Sequence, residues 1–158
     1  MTIALYAGSF DPITYGHLDI IKSGTEIFDK VIVAVAYNIN KEPFIPINKR
    51  LELIKECTSN INNVEICSFD GLTVDFAKQH NIKILLRGIR NNLDFEYEKE
   101  LATVNSKLNE SIKTVCFFAK PEHSFVSSSN AREIFYNGGN LEAFIPPQII
   151  KYLETRNK

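Results

Sequence analysis

Val31-Ile32-Val33-Ala34-Val35-Ala36-Tyr37 is a β-branched run with no polar face. A strand with one wet side alternates apolar and polar residues. A run without alternation reads as a strand covered on both sides, as in a parallel sheet between two layers of helices. Four further runs are strand candidates: Ile3–Ala7, which stops at Gly8, then Val64–Phe69, Ile82–Leu86 and Thr114–Ala119. Helical patterns fill the gaps. Ile20, Ile21, Gly24, Ile27 and Phe28 fall at i, i+1, i+4, i+7 and i+8, with Asp19, Lys22, Ser23, Glu26 and Asp29 on the other face. Leu51, Ile54, Thr58 and Ile61 form a second stripe behind Asn48, which is expected as its N-cap. A third, shorter helix is expected from about Thr73 to His80, and a fourth carries Tyr97, Leu101, Val104 and Leu108. Ser129–Tyr136 reads as helix up to Gly138-Gly139, and Pro146-Pro147 opens a last one through Ile149, Ile150 and Leu153. No linker, repeat or low-complexity segment interrupts the alternation. The pattern predicts a single domain over residues 1–158, a doubly wound, Rossmann-like α/β fold with a five-stranded parallel sheet.

Composition excludes several classes of function. Apolar residues make up 44% and charged residues 23%, ordinary for a soluble globular protein. No run approaches the roughly 20 apolar residues that span a bilayer, so no membrane partner is expected. Thr2-Ile3-Ala4-Leu5-Tyr6 shows no basic n-region or cleavage site, so no signal peptide is expected and the cytoplasm is the expected location. The net charge of −1 argues against a nucleic-acid partner held by phosphate neutralisation. A small phosphate ligand needs only a local positive cluster. Cys57, Cys67 and Cys116 are odd in number and lack CxxC spacing, which argues against disulfide and zinc frameworks and for buried reduced thiols.

In a doubly wound sheet, ligands bind beyond the carboxyl ends of the strands, where strand order reverses. The loops expected there are Gly8–Thr14, Asn38–Ile47, Asp70–Thr73, Arg87–Asp94 and Lys120–Ser129. In the first, Gly8 ends a strand, Pro12 stiffens the turn, and Thr14 can cap a helix that begins near Tyr15. Gly16 and His17 then lie in the first helical turn, where free N–H groups and the helix dipole attract phosphate. An imidazole at that place can donate to a phosphate oxygen. Arg87 and Arg90 flank Gly88 and Ile89 at the end of the fourth strand, a spacing that suits bidentate recognition of phosphate. Ser127, Ser128 and Ser129 precede a helix, and hydroxyls with free N–H groups make a second anion site. Lys41 stands alone in its loop, where a lysine is ordinarily just solvated. Asp94, Glu96, Glu98 and Glu100 surround a helix start favoured by the dipole, and their spacing singles out none of them.

Gly8-Ser9-Phe10-Asp11-Pro12 followed by Thr14-Tyr15-Gly16-His17 resembles the first motif of the HxGH nucleotidyltransferases, with threonine at its first position. With Arg87-Gly88-Ile89-Arg90, Asp94-Phe95-Glu96-Tyr97-Glu98 and Val126-Ser127-Ser128-Ser129, the chain is similar to the bacterial phosphopantetheine adenylyltransferases over its full length. It departs from the common pattern at Tyr15 (often asparagine), at Thr73, and at His123, where tryptophan is common. The resemblance implies transfer of AMP from ATP to 4′-phosphopantetheine, giving dephospho-coenzyme A and pyrophosphate. It implies His17 as the transition-state stabiliser, with Lys41 and Arg90 also catalytic. ATP is implied to contact Ser9, Phe10, His17, Gly88, Ile89, Arg90 and Glu98, then His123, Ser124, Phe125, Val126, Ser127, Ser128 and Ser129. The acceptor is implied to contact Ser9, Lys41, Thr73 and Arg87. Mg²⁺ is implied on the triphosphate with no protein side chain as ligand, together with a homohexamer and feedback inhibition by coenzyme A. The rival from another class is a nucleotide sensor without chemistry, and His17, both arginines and the serine run argue against it.

Overall fold

The computed structural model describes residues 1–38 and 40–156. Five strands, β1 (Ile3–Gly8), β2 (Lys30–Ala36), β3 (Val64–Phe69), β4 (Ile84–Ile89) and β5 (Lys113–Phe118), form one parallel sheet in the order β3-β2-β1-β4-β5. Around it lie α1 (Tyr15–Ile27), α2 (Ile47–Cys57), α3 (Thr73–Gln79), α4 (Asn92–Leu108), α5 (Ser128–Tyr136) and α6 (Pro147–Arg156). This is the doubly wound α/β fold expected. The order reverses between β1 and β4. β1 pairs with β2 along its whole length, from Ile3↔Lys30 to Gly8↔Val35, but with β4 only at Ala4↔Ile84 and Leu5↔Leu85. Beyond Leu5 the two central strands part, and that opening positions a site at their carboxyl ends.

The missing polar face of β2 has its cause in the core. Val31, Val33 and Val35 join a cluster with Ile20 and Ile21 of α1, Leu53 and Ile54 of α2, Ala131 of α5 and Ile149 and Leu153 of α6. Ile32 and Ala34 face the opposite side, in a smaller cluster with Ala77 of α3, Ile82 and Ile112. Truncating fully buried Ile21 to Ala would cost about 2–5 kcal/mol, the lost transfer energy plus the cavity left behind.

Four local expectations change. β4 continues through Arg87-Gly88 to Ile89, because it pairs with β5 up to Ile89↔Phe118 and its arginine finds a carboxylate. Pro46, not Asn48, stands at the N-cap of α2, and no side chain caps that end. The buried face of α2 is wider than the expected stripe: Arg50 and Leu53 are buried beside Ile54, while Leu51 and Ile61 are partly buried against the core. The stripe on α4 is not covered by the core: Tyr97, Val104 and Leu108 are exposed, and the buried residues of the helix are Glu98 and Asn105. The cysteines also differ from expectation. Cys57 and Cys67 are only partly buried, and Cys116, on edge strand β5, is exposed. Burial still pushes the Cys57 thiol up to about 12.

Candidate active site

The Gly8–Thr14 loop is held from three sides before any ligand is considered. Asp11 accepts backbone N–H groups of Phe44 and Ile45 through its two oxygens, each at 2.8 Å. Arg50, 5% exposed, donates Nε to the Ile45 carbonyl at 2.8 Å and Nη1 to the Ser9 carbonyl at 2.7 Å. Arg132 of α5 donates to the Asp11 carbonyl at 2.8 Å. Phe10 sits at φ +46°, left-handed backbone that a non-glycine residue holds only when its surroundings fix it. Its ring is buried edge-on to Tyr6 and His17, with centroids 5.2 and 5.0 Å away.

His17 follows from this turn. Thr14 is the N-cap of α1, and the capping box closes in an unusual way: the His17 ring, not a glutamate, occupies the third helical position and turns back to the cap. The Thr14 N–H donates to His17 Nδ1 at 3.1 Å. That bond assigns Nδ1 as acceptor and leaves the ring proton on Nε2. Burial first, then the charges of Arg90 and Arg87, lower the imidazole to about 4. At neutral pH His17 is therefore an uncharged ring with one N–H to donate. Burial pushes the Tyr6 phenol well above its ordinary range, so it too stays neutral.

The two arginines are oriented by α4. Arg87 gives Nε and Nη2 to the Glu98 carboxylate at 2.8 and 2.7 Å, and Nη1 to the Ala7 carbonyl at 2.7 Å. Arg90 gives Nε and Nη2 to Asp94 at 2.7 and 3.0 Å, and Nη1 to the Val126 carbonyl at 3.0 Å. Asp94 and Glu98 stand four residues apart, hence on one face of the helix. Hydrogen bonds from Arg90 hold the Asp94 carboxyl below the usual carboxylate range. Gly88 lets β4 lie against α1: a Cβ there would stand 2.9 Å from the Ile20 side chain. At Gly16 a Cβ would meet only ordinary contacts, the nearest at 3.6 Å, so the protein's own packing does not demand glycine.

Ser127 caps α5 by accepting the Asn130 N–H at 3.0 Å, and Ser128 Oγ donates to the Pro12 carbonyl at 2.8 Å. The N-termini of α1 and α5 thereby open on the same cavity, of about 370 Å³. Of the residues singled out from the sequence, Ser9, Phe10, His17, Arg87, Gly88, Arg90, Glu98, Val126 and Ser127–Ser129 line it. Others do not. Ile89 is buried in packing, Ser124 turns its hydroxyl to the Pro121 carbonyl, and Phe125 meets the ring of Phe144 edge-on. His123 turns its ring to Tyr15 and Asp19. Lys41 is exposed in the loop after β2, its N–H on the Asn38 carbonyl. Thr73 lines a second cavity of about 180 Å³ with Leu72, Leu101 and Asn105, and Arg87 lines both cavities.

Arg50, Asp94, Asn105 and Arg132 were not singled out from the sequence. Arg50 had a signal, a cation in phase with Leu53 and Ile54 on a buried helical face. Asp94 had another, its four-residue spacing from Glu98. Among the described residues no three His, Cys, Asp or Glu side chains lie close enough to hold a metal ion. No helix among them is long and apolar enough to cross a membrane.

A sheet that reverses at β1/β4, with two helix N-termini and paired arginines at its carboxyl edge, defines a nucleotidyltransferase. Residues 5–134 match the cytidylyltransferase-like family. The chain is 46% identical over 158 residues to a phosphopantetheine adenylyltransferase of Clostridium botulinum, covering 100% of this chain and 99% of that one. It is 47% identical over 158 residues to the enzyme of that name from Caldanaerobacter subterraneus, with the same coverage, and 50% identical over 147 residues to that of Gloeothece citriformis, covering 93% and 94%. The fold superposes on Plasmodium falciparum nicotinic acid mononucleotide adenylyltransferase, complexed with NaAD, at a TM-score of 0.71 with 18% identity, covering 99% of this chain and 96% of that one. The chain belongs to the cytidylyltransferase-like family and, within it, to the phosphopantetheine adenylyltransferases.

Proposed function

We propose that the protein transfers AMP from ATP to 4′-phosphopantetheine across the two adjoining cavities. The observation that carries this reading is Arg87, which lines both cavities and is fixed by Glu98. The larger cavity takes ATP, its triphosphate between the N-termini of α1 and α5. The smaller takes the pantetheine arm along Leu72, Thr73, Leu101 and Asn105, so that the arm's phosphate arrives at Arg87. A phosphate oxygen of the acceptor attacks the α-phosphorus in line, the bond from that phosphorus to the bridging oxygen breaks, and pyrophosphate leaves. No side chain is a nucleophile, so catalysis is positioning and stabilisation of charge.

His17 donates its Nε2 proton as a hydrogen bond to the α-phosphate oxygens as charge grows there. A neutral ring locked by Thr14 suits that role, since it gains nothing by binding the ground-state triphosphate as a cation would. Arg90 and Ser127–Ser129 hold the leaving pyrophosphate. Ser9 and Lys41 complete the acceptor-phosphate site, Lys41 by closing over it from the loop after β2. Magnesium arrives with the nucleotide as part of the substrate, held by phosphate and water oxygens. Both carboxylates in the cavity, Asp94 and Glu98, are committed to arginines.

We place the enzyme in the cytoplasm as a homo-oligomer, a hexamer by its family, inhibited by coenzyme A at the same cavities. The exposed apolar side chains of α4 (Leu93, Phe95, Val104 and Leu108) supply the contact surface. Phe135 and Phe144 pack on the core instead. The test is pyrophosphate release from ATP with a panel of phosphorylated acceptors, with the product identified by mass. Release with 4′-phosphopantetheine and formation of dephospho-coenzyme A are expected. Preference for nicotinamide mononucleotide would overturn the acceptor assignment.

A further inference from the structure

Tyr15 and Asp19 stand one turn apart on α1, outside the lining of the main cavity. His123 of the short 3-10 turn Pro121–His123 meets both. The His123 and Tyr15 rings stack with centroids 5.9 Å apart and planes inclined by 17°. His123 Nδ1 hydrogen-bonds Asp19 Oδ2, and Lys120 Nζ reaches Asp19 Oδ1 at 3.3 Å. The Asp19 and His123 side chains are 14% and 21% exposed, sheltered enough for the contact to outweigh an ordinary surface pair.

The contact continues into the site. The His123 carbonyl accepts the Val126 N–H at 3.0 Å, and the Val126 carbonyl accepts Arg90 Nη1 at 3.0 Å. Val126 is the residue before the serine run. Between the end of β5 and the start of α5, Val126 is the one side chain that is fully buried, 2% exposed. The segment therefore takes its position chiefly from what it docks on: Arg90, the Phe144 ring and, through His123 and Lys120, the first two turns of α1.

We infer that Asp19 is a positioning residue for the nucleotide: through His123 it sets the spacing between the N-termini of α1 and α5. The inference rests on the reading that those two helix ends hold the triphosphate. Without the clamp, the Ser127–Ser129 segment samples more positions, and ATP binding must order it at a cost in affinity. The pantetheine cavity lies on the other side of Arg87 and contains no part of this segment, so acceptor binding is untouched.

The experiment is a double-mutant cycle on the full chain with Asp19→Asn, His123→Phe and the double variant, each titrated separately with ATP and with 4′-phosphopantetheine. His123→Phe keeps the aromatic stack and Asp19→Asn keeps the shape, so both are expected to fold, with thermal melting as the check. Each single change is expected to weaken ATP about tenfold, with the double variant no weaker than the worse single, because both remove one contact. Acceptor affinity should stay within about twofold of the parent protein. Unchanged ATP affinity in both singles, losses that simply add, or equal loss of both ligands would overturn the inference. Failure of the parent protein to bind ATP would instead overturn the reading of the site on which the inference rests.

Discussion

Glu98 grips Arg87 with both carboxylate oxygens while itself 6% exposed. Sequence resemblance offers Glu98 as a contact to ATP, and in the structure it lines the main cavity with each oxygen accepting from the arginine. A guanidinium pinned along one edge is preorganised, so less freedom is lost when its remaining N–H groups meet phosphate. Glu98→Gln removes the charge and one of two strong acceptors. Affinity for the phosphorylated acceptor should fall about tenfold, and stability should drop by about 1–3 kcal/mol. Acceptor titration and urea unfolding check the two arms. A loss of stability with unchanged acceptor affinity would confine Glu98 to the fold.

His17→Ala removes a donor placed for the transition state. Turnover should fall by about two to three orders of magnitude, as for loss of a single oxyanion-type donor. ATP affinity should change little, since a neutral ring contributes little to ground-state binding. Steady-state kinetics beside an ATP titration separates the two. Turnover equal to that of the parent protein would remove His17 from the mechanism.

Protonation of the same residue gives a second test. The ordinary histidine value is 6.5, and burial with the two nearby arginines lowers His17 to about 4. A group whose folded value is depressed contributes stability above its unfolded value and loses it as pH falls toward the folded one. The window is therefore pH 6.5 down to about 4. The His17 ring resonances should stay fixed from pH 8 through pH 5.5 and move only near pH 4, while unfolding free energy declines across that window. Titration of the ring near pH 6.5 would show that it is not desolvated.

The sheet was legible because strand periodicity is local, and β2 advertised its two covered faces in seven consecutive residues. His17 was legible for the same reason, since cap, turn and glycine lie within a few residues of it. The arginine–carboxylate pairs and the Asp11–Arg50 tether were not, because they join elements far apart in the chain and topology decides which charges meet. On α4 the expected stripe came from hydropathy spacing alone. The side of that helix facing the two cavities sets Asp94, Glu98 and Asn105 among Tyr97 and Leu101, because it orients arginines, and no periodicity rule carries that information.

Arg50 tests the tether directly. Desolvation by burial lowers its guanidinium from the ordinary value, with the Asp11 charge opposing, and it serves the Ile45 and Ser9 carbonyls together. Arg50→Ala leaves those carbonyls and Asp11 without their cation, and should cost about 2–4 kcal/mol. Arg50→Lys keeps the charge but not the fork, so it should restore part of the stability and little of the turnover. Urea unfolding and kinetics on both variants check this. Full activity in Arg50→Lys would mean that charge alone holds the loop.

The outward face of α4 makes the last prediction. Leu93 is 82% exposed and Phe118, at the end of β5, 81%. Side chains of this size along one helix and a neighbouring strand end are an association surface more often than a solvated one. α4 also carries Tyr97, which lines the main cavity, with Asp94 and Glu98 on its inner face. Association through this helix would therefore steady the arginine clasps as well as cover apolar surface. Leu93→Glu with Phe118→Glu should shift the protein from oligomer to monomer in sedimentation and lower turnover with it, while leaving the melt cooperative. A parent protein that sediments as a monomer at micromolar concentration would refute the assembly. A monomeric variant with full turnover would separate assembly from catalysis.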